Sequence, residues 1–310
     1  MTTRTIQIPA AVFAAIALTA VTSPQATTQP VEVARTSEFS EGPVFDYEGN
    51  FFFTHGRFVT RIDPAGTSKI WIETSGANGH KVLPDGTHLL CVPGDRAVLR
   101  IDPAGKVLGA ASDRCEGKPL RAPNDLTLDA HGGFYFTDPG GSREAPIGTV
   151  HYVDAEGTTH LAVGGMRVPN GLVLSLDGKV LYVAETVPNR IVKFAVIAPG
   201  KLGEMEVFAE LPHRAGHQAE PDGMAIDSDG NLYVAHLGTN SVKVLDPHGK
   251  PIRELPTPNY DTSNLVFGGP RLNQLYVTGS VGHRSNTVGR VYRLDLGMVR
   301  GVSPLRPRPK

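Results

Sequence analysis

A short unit recurs along the chain, in which a turn containing glycine leads into a strand of mainly apolar residues. Six copies follow one another at intervals of about forty to fifty residues, at 47–56, 84–94, 130–140, 176–186, 228–238 and 269–280. Each copy is followed by a second piece, such as TRIDPAGTSKIW, whose period-two apolar alternation predicts a strand, a glycine turn and another strand. The repeated unit is therefore a sheet of about four antiparallel strands.

Six such sheets in sequence predict an all-β fold, a six-bladed β-propeller with four-stranded antiparallel blades. A two-sheet sandwich is the alternative, but it does not explain a repeat of this length. A propeller has to close, because an open ring exposes unpaired strand edges. We therefore expect the segment 30–39 (PVEVARTSEF) to supply an outer strand to the blade that ends near Gly301.

Composition excludes some classes of partner. The 310 residues include 35 glycines and 25 prolines, which favour many turns between short strands. With 30 basic and 31 acidic residues, the chain gives no electrostatic reason to expect nucleic acid or an anionic membrane as a partner. We expect a monomer that binds a small neutral or weakly charged molecule.

The ends of the chain differ from the repeats. Residues 1–26 contain one arginine and then a short apolar run, a pattern typical of a secretory signal peptide cleaved after Ala26. The alternative is an uncleaved membrane anchor. Cleavage predicts export to the periplasm or the extracellular space, a single propeller domain over 27–301 and a flexible basic tail over 302–310. In an oxidising compartment Cys91 and Cys115 could pair or remain buried free thiols, and the sequence leaves both alternatives open.

One polar position recurs in every repeat. Eight residues before the turn glycines of the first five repeats, and at the matching place in the sixth, stands a side chain that carries oxygen. These residues are Glu41, Asn78, Asn124, Asn170, Asp222 and Asn264. Because the first strand of each propeller blade lines the central channel, we expect the six to form a ring around one axis. Oxygen ligands without His or Cys suit Ca²⁺ or Mg²⁺. The alternative is that individual members, above all Asn78 and Asn264, only stabilise turns.

A second polar register lies three residues past the aromatic residue of each strand, at His55, Asp138, Glu185 and His236. It is either a lower layer of the channel or a set of buried polar groups that are hydrogen bonded. In the first case His55 and His236 would contact the substrate and carry protons.

Five motifs in order, SEGPVF, APNDLTLDAHGGFYFTDPGG, VPNGLVLSLDGKVLYVAET, EPDGMAIDSDGNLYVAH and SNLVFGGPRLNQLYVT, resemble the gluconolactonase family, also called the regucalcin or senescence-marker-protein family. The resemblance extends from about Phe39 to Leu294. It implies a six-bladed propeller with one divalent cation on the axis, Ca²⁺ foremost and Mg²⁺, Mn²⁺ or Zn²⁺ as alternatives. The ligands that it implies are Glu41, Asn124, Asn170 and Asp222.

Asn78 and Asn264 lie outside that ligand set and are assigned to substrate or water contacts. Animal members of the family carry an arginine two residues before the position of Asn124, where this chain has Ala122 with Arg121 beside it. The expected substrate is therefore a sugar lactone or a related cyclic ester, and it is not narrowed to gluconolactone.

The expected reaction is hydrolysis of the lactone by water, with Asp222 as the proton acceptor and Asn124 holding the substrate or the water. A bound cation would polarise the carbonyl group and stabilise the oxyanion. Two alternatives remain at this point. One is a phosphotriesterase-like hydrolase that uses the same site with the aspartate as nucleophile, and the other is a non-catalytic binding propeller whose metal is structural.

Overall fold

The computed structural model describes residues 29–213, 218–282 and 288–303. Within these ranges the secondary structure is almost entirely β, with the 3-10 turn Pro93–Asp95 as the helical exception. No helix in the described ranges has the length and apolarity that a membrane span requires. The predicted signal peptide and residues 304–310 of the predicted tail lie outside the described residues, so export stays a prediction.

The strands form six antiparallel sheets that follow one another along the chain, as the repeat predicted. Strand β1 (Val31–Thr36) comes first and belongs to the last blade. Blade 1 contains β2 (Ser40–Phe45), β3 (Phe51–His55), β4 (Phe58–Ile62) and β5 (Ser68–Glu73). Blade 2 contains β6 (His80–Val82), β7 (His88–Val92), β8 (Ala97–Ile101) and β9 (Val107–Ser112).

A small hairpin of β10 (Arg114–Cys115) and β11 (Lys118–Pro119) precedes blade 3, which contains β12 (Leu126–Leu128), β13 (Phe134–Asp138), β14 (Gly148–Val153) and β15 (Thr159–Met166). Blade 4 contains β16 (Pro169–Leu174), β17 (Val180–Glu185), β18 (Arg190–Ala198), the short β19 (Lys201–Leu202) and β20 (Glu206–Glu210). Blade 5 contains β21 (Glu220–Ile226), β22 (Leu232–Leu237), β23 (Ser241–Leu245) and β24 (Pro251–Pro256). Blade 6 contains β25 (Asp261–Gly268), β26 (Gln274–Ser280) and β27 (Gly289–Asp295), and β1 completes it.

The ring closes through β1, which pairs antiparallel with β27 from Val31 opposite Arg293 to Thr36 opposite Gly289. Glu32 reinforces this pairing, because its carboxylate lies 3.2 Å from the guanidinium of Arg290. The expected closure by segment 30–39 is confirmed. It removes the unpaired edge that blade 6 would otherwise expose.

The apolar core is divided among the interfaces between blades. In the described residues each pair of neighbouring blades has its own cluster of buried side chains, for example Phe52 of blade 1 with Leu90 of blade 2 and Tyr135 of blade 3 with Leu181 of blade 4. Second strands such as β3 are buried along their whole length, whereas the outermost strand β5 is largely exposed. This arrangement leaves the central axis to polar side chains.

Aspartates explain why the same turn recurs after the innermost strands. The Oδ1 atom of Asp46 accepts hydrogen bonds from the backbone N–H groups of Glu48 and Asn50, and Asp227 makes the equivalent pair in blade 5. The glycine in the blade 1 turn, Gly49, has φ of 81°, a conformation that glycine adopts without a steric penalty.

Glycine also allows the innermost strands to approach one another closely at the start of each strand. The residue after the predicted ring position is glycine in four blades: Gly42, Gly79, Gly171 and Gly223. A Cβ atom at Gly171 would lie 2.2 Å from the carbonyl oxygen of Asp222, and one at Gly223 would lie 2.1 Å from the side chain of Asn264. The neighbouring backbones therefore leave no room for a side chain at these positions.

We predict that Gly171→Ala destabilises the protein by roughly 1–3 kcal/mol, because the methyl group would force the backbones of blades 4 and 5 apart. The matched control is Gly164→Ala in β15, where φ is not positive and the nearest atom to a new Cβ lies 3.8 Å away. Thermal unfolding monitored by circular dichroism should show a lower Tm for Gly171→Ala alone. Equal Tm values for the two variants would show that the close approach is not a constraint.

Candidate functional site

The six residues of the predicted ring lie at or just before the starts of the innermost strands. Glu41 is the second residue of β2, and Asp222 and Asn264 lie in β21 and β25; all three are buried. Asn78, Asn124 and Asn170 are half-buried.

Contacts between neighbouring blades join these positions into a closed ring. The backbone N–H of Gly79 donates to the carbonyl oxygen of Asn124 at 2.8 Å. The hydroxyl of Thr137 donates to the carbonyl oxygen of Asn170, also at 2.8 Å. The glycine contacts described above join blades 4, 5 and 6, and a Cβ atom at Gly42 would lie 2.2 Å from the carbonyl oxygen of Asn78, which joins blades 1 and 2. Asn264 closes the ring, because its Nδ2 donates to Oε2 of Glu41 at 3.0 Å. The structure therefore brings together all six positions that the repeat singled out.

A third carboxylate lies within this ring. Asp125 is buried, and its Oδ2 atom accepts a hydrogen bond of 3.4 Å from the same Nδ2 of Asn264 that binds Glu41. Its Oδ1 atom lies 3.8 Å from Nζ of Lys81 in the neighbouring blade. The ring thus combines Glu41, Asp125 and Asp222 with one lysine.

Sequence reasoning missed Asp125 and Lys81. A signal for Asp125 was present, because the residue after the ring position is glycine in four blades, leucine in the sixth and an acid in the third alone. Lys81 carried no comparable signal, since its role depends on an ion pair between two blades.

Burial and charge perturb Glu41. Removal from water raises the pKa of this carboxyl to about 7, and the neighbouring carboxylate of Asp125 adds to the effect. Hydrogen bonds from the backbone of Gly42 and from Asn264 oppose the shift without cancelling it. Burial and the negative charge of Asp125 both destabilise the ionised form of Glu41, and a nearby cation would stabilise that form.

Two residues of the second register hold the loops that lead to the ring. The carboxylate of Asp138 accepts from the backbone N–H groups of Arg121 and Ala122 at 2.8 and 2.7 Å, just before Asn124. Glu185 accepts from the backbone N–H of Arg167 at 2.8 Å, just before Asn170. These carboxylates therefore fix the backbone that presents the two asparagines.

Comparison with known proteins identifies the family, and the match covers the strands that carry the ring. A family model described as the SMP-30/gluconolactonase/LRE-like region matches residues 39–281. This chain belongs to the SMP-30/gluconolactonase family. The family resemblance inferred from the five motifs is confirmed, and so is the six-bladed fold.

Relatives within the SMP-30/gluconolactonase family include lactonase drp35 of Staphylococcus epidermidis, which is 35% identical over 186 residues, or 57% of this chain and 56% of the relative. The chain thus spans little more than half the length of that relative. The gluconolactonase of Zymomonas mobilis subsp. mobilis is 29% identical over 273 residues, or 77% of this chain and 76% of the relative.

Solved structures agree with the fold. A gluconolactonase from Xanthomonas campestris superposes with a TM-score of 0.75 at 26% identity, covering 86% of this chain and 89% of that chain. Regucalcin from Agrobacterium tumefaciens, a calcium-binding protein, superposes with a TM-score of 0.77 at 22% identity, covering 91% of this chain and 97% of that chain.

Arg121 stands beside the position where animal members of the SMP-30/gluconolactonase family carry an arginine, but its side chain is engaged elsewhere. Its Nη1 donates to the carbonyl oxygen of Ile147, at the end of the loop that follows β13. Arg143, in the same loop, reaches across to Glu220 at the start of β21. The two arginines fasten this loop to blades 3 and 5.

His55 and His236 lie at the ends of second strands, beside the channel-lining strands and not on them. The Nε2 atom of His55 lies 2.7 Å from Oγ1 of Thr60, and Nε2 of His236 lies 2.8 Å from Oδ1 of Asn189. His236 is fully buried. Of the two alternatives for the second register, these contacts favour buried polar groups, and a substrate role for either histidine stays a prediction.

The two cysteines are free and buried. Burial raises the pKa of the Cys115 thiol and raises that of Cys91 well above its ordinary value, so both favour the neutral form. Cys91 lies in β7, where its carbonyl oxygen accepts from the backbone N–H of Asn78 at 3.0 Å. Of the two alternatives that the sequence left open, the structure has the free thiols.

The donor set of the ring fits a hard divalent cation. Among the described residues, no three His, Cys, Asp or Glu side chains converge to hold a metal by themselves. A cation at the ring would therefore need amide oxygens beside its carboxylates, and Asn124 and Asn170 are the asparagines that the sequence assigns to this task. The perturbed carboxyl of Glu41 is the further observation that favours a positive charge there.

His236 supplies a prediction about acid stability. Because Asn189 donates through Nδ2 to the carbonyl oxygen of Leu211, its Oδ1 faces His236, and the imidazole donates. Burial, and then the charge of Lys243, lowers the pKa of His236 to about 3. The unfolded chain therefore binds a proton more readily than the folded one between about pH 6.5 and 3, so stability is lost as pH falls through this window.

We predict that His236→Gln, which keeps an N–H donor but does not titrate, reduces the loss of stability between pH 7.5 and 4.5 by roughly 1–3 kcal/mol. The matched control is His131→Gln at an exposed turn, which should keep the wild-type dependence. Urea unfolding at several pH values measures the slope. A His236→Gln slope equal to that of the wild type would contradict the assignment.

Proposed function

We propose that the protein is a divalent-metal-dependent hydrolase that opens lactones, a sugar lactone or a related cyclic ester, by attack of water. The observation that carries this proposal is that Asn264 donates to both Glu41 and Asp125, so that two buried carboxylates meet where the innermost strands approach one another. Related members of the family named lactonase drp35 and gluconolactonase support the choice of lactones as the substrate class.

Glu41, Asn124, Asn170 and Asp222 would hold the cation, and Ca²⁺ suits this set of carboxylate and amide oxygens best. When bound, a divalent cation polarises the lactone carbonyl and stabilises the oxyanion. Mg²⁺, Mn²⁺ and Zn²⁺ remain the alternatives to be tested by exchange.

The other members of the ring position these groups. The Nδ2 of Asn264 donates to both Glu41 and Asp125, and its Oδ1 accepts from the backbone N–H of Leu265 at 2.8 Å. We therefore assign Asn264 to holding Glu41 in place, and not to the substrate contact expected from the sequence. Asn78 keeps its assignment as a substrate or water contact.

Asp222 is assigned as the proton acceptor. It is a buried carboxylate in β21, and in this proposal it takes the proton from the attacking water while Asn124 orients the substrate or that water. Glu220, two residues earlier, accepts hydrogen bonds from Arg143 and Gln218, and these contacts hold the start of β21.

We predict that the protein as isolated carries about one divalent ion per chain, since one ring offers one cluster of suitable oxygens. Chelation should abolish lactone hydrolysis, and added Ca²⁺ should restore it. Elemental analysis by mass spectrometry, alongside assays of a panel of lactones, aryl esters and phosphotriesters, tests both statements. A fully active preparation that contains no metal would refute the proposal.

We predict different effects for two ring residues. Asp222→Asn keeps an oxygen at the same place but removes the proton acceptor, so kcat should fall by roughly 10²- to 10⁴-fold at saturating Ca²⁺. Asn78→Ala should leave metal affinity nearly unchanged and act mainly through KM. Steady-state kinetics and calcium titration of both variants, with the best lactone found, provide the comparison.

If Asp222→Asn keeps a near-normal kcat at saturating metal, Asp222 is a metal ligand only and not the proton acceptor. A single turnover in ¹⁸O-labelled water tests the phosphotriesterase-like route, because only a nucleophilic aspartate acquires the label in its carboxylate. Label in the product alone agrees with direct attack by water.

A further inference from the structure

Lys81 is a cation that the fold brings to the level of the ring. It lies in β6 of blade 2, two residues after Gly79, so the alternation of a strand turns both residues to the same side. That side faces blade 3, because a Cβ atom at Gly79 would lie 2.6 Å from the Cα atom of Asp125. His80, between them, turns the other way and packs against Phe52 of blade 1. The Nζ atom of Lys81 accordingly lies 3.8 Å from Oδ1 of Asp125.

Lys81 also forms part of the wall of a cavity of about 340 Å³ directly beside the ring. Leu172, Met224 and Leu265 line the same cavity, and each stands one or two residues after a ring position. Among the described residues that line it, Lys81 alone is charged. The side chain of Lys81 is 21% exposed and that of Asp125 is 5% exposed, so the pair is largely withdrawn from bulk water. Its electrostatic effect on the ring is therefore stronger than that of an exposed pair.

Asp125 and Asn264 connect Lys81 to an assigned ligand of the cation. The Nδ2 atom of Asn264 donates to Oδ2 of Asp125 at 3.4 Å and to Oε2 of Glu41 at 3.0 Å. A positive charge on Lys81 offsets the negative charge of Asp125 and so weakens the attraction of the ring for a cation. Because the Coulomb energy of two charges is proportional to each of them, Lys81 opposes a trivalent ion more strongly than a divalent one.

We propose that Lys81 limits the negative charge of the ring and thereby favours a divalent over a trivalent cation. The inference rests on the proposed function, because it concerns the same cation site, and it adds a specificity-determining residue to that site. Lys81 is not a ligand and acts through Asp125. The ring consequently binds Ca²⁺ less tightly than its carboxylates would without the lysine.

Titration calorimetry of the full chain with CaCl₂ and with TbCl₃, after removal of bound metal by chelation, tests the proposal. Lys81→Met keeps a side chain of similar length and removes its charge. We expect this variant to bind Ca²⁺ roughly tenfold and Tb³⁺ roughly thirtyfold more tightly than the wild type, because the lost repulsion scales with the charge of the ion. An unchanged ratio of the two affinities would overturn the proposal.

Two control variants separate charge from structure. Lys81→Arg keeps the positive charge and should keep the wild-type affinities for both ions. Lys243→Met removes another largely buried lysine, whose Nζ lies 2.6 Å from Glu254 in the outer part of blade 5. This variant should also keep both affinities. A Lys243→Met protein with the same change in the ratio as Lys81→Met would show that the effect is not specific to the ring.

A second pair of variants covers the case in which Lys81→Met does not fold because it leaves Asp125 buried without its partner. Asp125→Asn should weaken the binding of both ions, and of Tb³⁺ more than of Ca²⁺. Adding Lys81→Met to Asp125→Asn removes one charge of each sign and should return the ratio of the two affinities close to the wild-type value. The same ratio in the single and the double variant would contradict the role of Lys81.

Failure of this inference and failure of the proposed function give different results. A wild-type protein that binds neither Ca²⁺ nor Tb³⁺ would remove the cation site, and the inference with it. A wild-type protein that binds one Ca²⁺, together with a Lys81→Met protein that keeps the wild-type ratio of affinities, would overturn the role of Lys81 alone.

Discussion

The close approach of the six innermost strands at one level of the axis is the constraint on which the rest of the structure depends. Gly171 and Gly223 have no space for a side chain, because a Cβ at either position would overlap the neighbouring blade. This contact fixes the distance between adjacent ring residues. The apolar clusters between blades then set how far the sheets spread outwards. The spacing of the polar ring is therefore set by steric contacts between backbones and by apolar packing between blades.

The protein's own polar groups offset part of the negative charge of the ring carboxylates, in addition to any bound ion. Asn264 donates to both Glu41 and Asp125, and Lys81 approaches Asp125 from the neighbouring blade. The amide thus separates two buried carboxylates that would otherwise repel each other. A second tier of carboxylates, Asp138 and Glu185, acts on backbone N–H groups and leaves the axis free. The carboxylates of the ring therefore contact one another through Asn264, whereas those of the second tier hold the backbone of the loops.

The repeat predicted the blades, because they depend on local turn chemistry that recurs at a fixed spacing, and the closing strand followed from the need to pair the edge of blade 6. Gly49 with Asp46 is one example of that turn. Residues whose role depends on contacts between blades were harder to find. The role of Lys81 depends on its ion pair with Asp125. The role of Asn264 depends on its hydrogen bonds to two carboxylates. The hydrogen bond between His236 and Asn189 of another blade also lies outside what the register of His236 can show.

The pairing of β1 with β27 affects the order of folding. Of the described strands β1 leaves the ribosome first, and its residue Thr36 pairs with Gly289, which is made about 250 residues later. Contacts so distant in sequence close slowly, because chain entropy opposes them until most of the other blades are formed. During synthesis β1 therefore lacks its partner, and the sixth blade is the last to acquire a complete set of strands. Among the described strands, the first to be made is therefore the last to be paired.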